Sequence, residues 1–65
     1  MLITILDGGW TFEYYVNPRN IIGVFRDKVT DGYYIDTVDG HQYQVAKESY
    51  TRIVAWILDD AERSR

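Results

Sequence analysis

The apolar residues follow two periods. Up to about residue 46 they recur at alternate positions in short runs, and beyond it they recur every third or fourth position. Met1 to Leu6 is short, apolar and β-branched, which predicts a strand closed by the turn Asp7-Gly8-Gly9. Trp10 to Val16 predicts a second strand, with Phe12, Tyr14 and Val16 on one face and Thr11, Glu13 and Tyr15 on the other. Asn17-Pro18-Arg19-Asn20 interrupts the alternation. Pro18 has no N–H to give to a ladder, so this segment is a connection. Ile21 to Arg26 is apolar on both faces, the pattern of a central strand or of one packed against a second layer. Asp27 to Gly32 is polar and predicts another turn.

The next segment, Tyr33 to Val45, is a hairpin with two competing registers. A two-residue Asp39-Gly40 loop places Asp36 on the face that holds Val38, Tyr34 and Val45. A three-residue loop of Val38, Asp39 and a left-handed Gly40 pairs Thr37 with His41, Asp36 with Gln42, Ile35 with Tyr43, Tyr34 with Gln44 and Tyr33 with Val45. The second register puts Tyr33, Ile35, Thr37, His41, Tyr43 and Val45 on one face and leaves Tyr34, Asp36, Gln42 and Gln44 on the other. A slip of one residue scrambles that sorting, so the pattern selects the three-residue loop.

From Tyr50 the stripe Tyr50, Ile53, Val54, Ile57, Leu58 and Ala61 predicts an amphipathic helix over about residues 48–62, with Trp56 on its flank. Ser49 fits the N-cap position, with Glu48 entering the first turn as the alternative. The fold class is α+β: one domain over residues 1–65, with about five short strands forming a small antiparallel sheet or a partly rolled barrel, followed by one C-terminal α-helix.

Composition narrows the function. The chain has 65 residues and no cysteine, so neither a disulfide nor a thiolate metal site can staple it. Domains of this size usually need such a staple or a partner, which points to a homo-oligomer. The net charge is −3 and the seven Lys and Arg residues are scattered, so the clustered positive charge that grips nucleic acid is missing. No apolar run approaches the roughly 18 residues of a membrane helix, and the apolar N-terminus lacks the basic lead of a secretory signal. The expectation is a cytoplasmic protein.

The chemistry-bearing residues are few. His41 is the sole histidine and sits at the rim of the apolar face beside a turn. No serine lies in a nucleophile motif, and the chosen register sends Asp36 to the opposite face, so His41 reads as structural and the protein as no enzyme. Asp59 and Asp60 diverge by about 100° on a helix. Asp27 to Gly32 contains too few oxygen ligands for a calcium loop. No metal and no cofactor is expected. The unusual feature is the two Trp, two Phe and six Tyr. Trp10, Tyr15, Tyr34 and Trp56 fit a core poorly and read as anchors for a second copy of the chain or for a partner protein. Stacking on a small nucleotide is the alternative, with Arg19 or Arg26 for its phosphate.

Several short motifs carry a family resemblance: the opening strand with Asp7-Gly8-Gly9, then Val16-Asn17-Pro18-Arg19-Asn20-Ile21-Ile22, the hairpin Thr37-Val38-Asp39-Gly40-His41, and Val45-Ala46-Lys47-Glu48-Ser49 entering a helix. In that order they resemble small FlbD-type proteins associated with bacterial flagellar gene clusters, and similar short phage-encoded proteins. The resemblance implies mainly the sheet-then-helix shape. The hairpin-then-helix ending is also similar to that of LytTR-type DNA-binding domains, without their basic residues. The expected function is stoichiometric occupation of a partner protein by a homo-oligomer, as a phage-type inhibitor or bacterial accessory regulator. A nucleotide-sequestering module is the alternative, and a DNA-binding regulator is a weaker one.

Overall fold

The computed structural model describes residues 1–63. Five strands, β1 (Leu2–Asp7), β2 (Trp10–Tyr15), β3 (Ile21–Arg26), β4 (Tyr33–Thr37) and β5 (Gln42–Val45), precede one helix, α1 (Lys47–Arg63). Pro18–Asn20 forms a single 3-10 turn, with the Asn17 side chain accepting the Arg19 N–H at 3.1 Å. The strands pair antiparallel in the order β2-β1-β5-β4-β3.

Turn chemistry sets both hairpin registers. Gly8 and Gly9 have φ of 56° and 87°, the left-handed pair that a type I′ turn demands, and Asp7 pairs with Trp10 across it. In the second hairpin Gly40 has φ 86°, its N–H reaches the Thr37 carbonyl at 3.0 Å, and the Thr37 N–H reaches the His41 carbonyl at 2.9 Å. The pairs Asp36/Gln42, Ile35/Tyr43, Tyr34/Gln44 and Tyr33/Val45 are those of the three-residue loop.

The β2-to-β3 link joins opposite edges of the sheet. Five flat strands span about 19 Å from first to last. The connection holds only residues 16–20, and three of them lie in a 3-10 turn that advances about 2 Å per residue. Its reach is about 16 Å, so the sheet has to curl, and Ile3, Ile5, Val16, Ile21, Ile35 and Val45 are enclosed on one side of it. The sheet stays open: β2 and β3 are its edges and do not pair with each other.

Two expectations change. The double-faced apolar run of β3 predicts a central strand or one packed against a second layer, yet β3 is an edge. The strand that leads into the helix, β5, inserts between β1 and β4 and displaces it, and Ile22 beside a bulge is left 68% exposed. Ser49 is not an N-cap, because α1 starts at Lys47 and the Tyr50 N–H already bonds the Ala46 carbonyl; Glu48 lies in the first turn, as the alternative reading has it. Ser49 continues the sheet instead. β5 pairs with β1 at Ile5/Val45 and Leu6/Gln44, the Ala46 N–H donates to the Thr4 carbonyl, and the chain then turns into the helix. That turn leaves the Thr4 N–H without a strand partner, and the fully enclosed Ser49 hydroxyl accepts it at 2.8 Å.

Ile53 enters the core completely, Tyr50 sets its ring 4.8 Å from that of Tyr33, and Ile57 packs at the core margin. Past Ile57 burial falls away, with Leu58 61% exposed and Ala61 exposed, because the helix of about 25 Å runs beyond the sheet.

Ser49→Ala leaves a buried amide unsatisfied and is expected to cost about 1–3 kcal/mol in urea unfolding. Ile53→Ala is expected to cost about 2–5 kcal/mol and more than Ile57→Ala. Equal losses for the two isoleucines would place the helix face elsewhere.

Candidate interaction surface

Every residue of β2 is exposed. Two constraints produce this. As an edge strand β2 has one neighbour instead of two, and α1 packs chiefly on β4 and β1. Trp10 (72% exposed), Phe12 (51%) and Tyr14 (52%) project from the same face, since they pair directly with Asp7, Ile5 and Ile3 on β1. Tyr15 (79%) projects from the other face with Thr11 and Glu13. Three rings at alternate positions on one strand form a continuous apolar ridge. Large exposed apolar patches of this kind mark interaction sites in soluble proteins.

The hydrogen-bond phase of the hairpin determines what the strand edge offers. Met1 and Val16 exchange both backbone hydrogen bonds, each at 2.8 Å. Antiparallel ladders alternate hydrogen-bonded and non-hydrogen-bonded pairs. Tyr14, Phe12 and Trp10 therefore turn their backbone groups inward to β1, and Thr11, Glu13 and Tyr15 turn theirs outward. The sole charge on the strand is Glu13.

Of the residues expected to act as anchors, Trp10 and Tyr15 lie on this strand, at opposite ends and on opposite faces. Tyr34 stands apart. Its ring stacks on Phe25 at 5.2 Å, its hydroxyl lies 3.3 Å from that of Thr30, and it covers Gly32 so closely that an added Cβ would meet the ring at 2.9 Å. Arg26 pairs with Asp31 at the end of β3, its Nε donating at 2.8 Å, and the hydrogen bond and charge of that aspartate raise its pKa. Arg19 is exposed in the 3-10 turn, and Trp56 is half-buried on α1. The six do not converge on one site. Phe12 and Tyr14 join Trp10 instead; alternation put them on an apolar face, and only the strand order reveals that nothing covers it.

A cleft of about 630 Å³ opens where the two hairpins diverge. Among its lining residues are Phe12 and Tyr14 of β2, Tyr43 and Gln42 of β5, and the acidic Asp7 and Glu13. Its volume falls within the range of small-molecule sites. Neither Arg19 nor Arg26 lines it.

His41 belongs to the hairpin loop. Its Nδ1 lies 2.8 Å from Asp39 Oδ2, and the Thr37 hydroxyl donates to the other oxygen of the same carboxylate. Asp39 thus separates the hydroxyl from the imidazole and serves as the acceptor that closes the loop. The Thr37 hydroxyl first, and His41 second, hold the Asp39 carboxyl down from 3.8 to about 2. Among the described residues no group of three His, Asp or Glu side chains is placed to hold a metal ion, and no helix is long and apolar enough to cross a membrane. No protein-family model, curated protein or solved structure matches this chain.

A carboxyl depressed in the folded state stabilises it above the unfolded pKa of about 3.9. That contribution fades as pH falls from about 4 toward the folded value. Thr37→Val is expected to move the Asp39 pKa back up toward 3.8 in an NMR titration, and to shift loss of the loop's stabilisation to higher pH. An unchanged Asp39 titration would remove the hydroxyl as the cause.

Proposed function

We propose that this is a non-enzymatic binding protein that acts as a homo-oligomer and occupies a partner protein stoichiometrically, as a phage-type inhibitor or bacterial accessory regulator does. The observation that carries this reading is β2, six consecutive exposed residues with four aromatic side chains among them. Burying four such rings supplies a large apolar area, and Trp and Tyr are the residue types that dominate binding energy at interfaces. The hairpin loop supports the non-enzymatic part: its one imidazole is engaged with a carboxylate and has no hydroxyl to activate. The half-buried Trp56 and the exposed Leu58 lie about 200° apart on α1, so they offer two separate apolar contacts and not a second patch.

The cleft between the hairpins favours a second reading, a small-ligand module. Its charged lining is acidic, which repels phosphate, so the reading fits a neutral or cationic ring compound better than a nucleotide.

Light scattering during size exclusion at tens of micromolar is expected to give a mass above one protomer. Trp56→Phe leaves Trp10 as the sole tryptophan, and its fluorescence is expected to shift to the blue as concentration rises. A monomeric mass with emission that stays water-like at every concentration would overturn self-association. In a thermal-shift screen, a true cleft ligand at one hundred times its Kd would stabilise by roughly 2.7 kcal/mol.

A further inference from the structure

We infer that two copies of this chain associate through the β2 edges, antiparallel and two-fold symmetric, with Phe12 facing Phe12 of the second copy on the axis; this rests on the homo-oligomer reading above and names its interface and register.

The two sheet edges differ. β3 is shielded as natural edges usually are: its register shifts at a bulge between Ile21 and Gly23, and the Arg26–Asp31 ion pair occupies its far end. β2 has no bulge, no proline and no lysine, and five of its six residues, all but Glu13, are strong strand formers in unbroken register with β1. Its outward N–H and C=O groups at Thr11, Glu13 and Tyr15 match what an added antiparallel strand requires.

Symmetry leaves few registers. The outward residues of one copy must pair with outward residues of the other. An axis through Glu13 sets two carboxylates directly opposite each other, which is destabilising. An axis through Phe12 places Glu13 opposite Thr11 of the second copy, Phe12 on Phe12, and Trp10 on Tyr14. It also lays Tyr15 over the bare backbone of Gly9, where a ring covers a glycine that lacks a side chain of its own. The alternative axis through Tyr14 pairs Phe12 with the already buried Val16 and leaves Trp10 without a partner. The Phe12 register alone sets all three ridge rings, Trp10, Phe12 and Tyr14, opposite rings of the second copy. The four exposed rings of the strand present roughly 500 Å² of accessible area per copy. With the backbone and side chains of Thr11 and Glu13 added, this approaches the ~800 Å² per partner of a standard stable interface. Glu13 selects the register by excluding the one centred on itself.

The cysteine-free chain allows a direct test by single cysteine substitutions in the full-length protein. In the proposed register Phe12 is a non-hydrogen-bonded pair with Cα atoms about 4.5 Å apart, within the range that a disulfide bridges. Phe12→Cys is expected to give most of the protein as covalent dimer on mild oxidation, at least tenfold faster than Tyr15→Cys or Leu58→Cys. Glu13→Pro deletes an outward N–H and leaves the β1 ladder intact, so it is expected to yield a monomer with the wild-type circular dichroism spectrum. A cross-link fastest at position 13 or 14 would overturn the register. A dimer that persists in Glu13→Pro, with no preference for position 12, would overturn the β2 interface while leaving the homo-oligomer reading standing. Masses larger than a dimer would replace it with head-to-tail pairing of β2 on β3. A wild-type monomer at tens of micromolar would sink both the interface and the homo-oligomer reading.

Discussion

The pairing of β5 with β1 is the constraint on which the rest depends. It is short, with two residue pairs, one further backbone bond into Thr4, and the Ser49 hydroxyl that takes over where the strand ends. It joins residues about forty positions apart and unites two hairpins that would otherwise be separate ribbons, each marginal in water. It also decides which strands are central and which are edges. Once β5 occupies the middle, β2 and β3 are forced outward, and the short link between them forces the sheet to curl. The helix then starts above β1 and β5 and drops Ile53 into the hollow. The hydroxyl of one serine thus connects the ladder to the layer above it.

The same constraint accounts for the exposed aromatic ridge. A helix of seventeen residues anchored at the end of β5 covers the centre of a five-stranded sheet and cannot also cover an edge. The rings of β2 lie on the same face as the core, in register with Ile3 and Ile5, yet beyond the reach of α1. Their exposure is the cost of a small two-layer fold with one helix. The binding role proposed above rests on this surface, because an uncovered strand edge is a template for pairing with another chain. The opposite edge carries a bulge and an ion pair, so only one of the two edges is left open.

Much of this was legible in the chain. All five strands and the helix follow from apolar pattern and turn residues, and the three-residue hairpin loop follows because one register sorts Tyr33 to Val45 by polarity and the other does not. Two readings failed for the same reason. The apolar run Ile21 to Arg26 suggests a centre, and Ser49 suggests a cap, because local pattern reports what each segment tolerates and not what lies beside it. Of the candidate anchors, Trp10 and Tyr15 lie on the exposed strand and Trp56 on the helix flank, while Tyr34 finds a stacking partner in Phe25 and a seat over Gly32. Phe12 and Tyr14 do not stand out in the sequence, because alternation assigns them to an apolar face without saying whether that face has a cover.

The amino-acid order by itself determined the elements, their turns and the inward side of each, since these depend on φ/ψ preferences and on polarity a few residues apart. Which strand sits at the rim, which rings stay wet and where the Thr4 amide finds its acceptor were decided only in three dimensions. Those outcomes hang on the contact between β1 and β5, and no pattern within a single segment encodes a partner forty residues away.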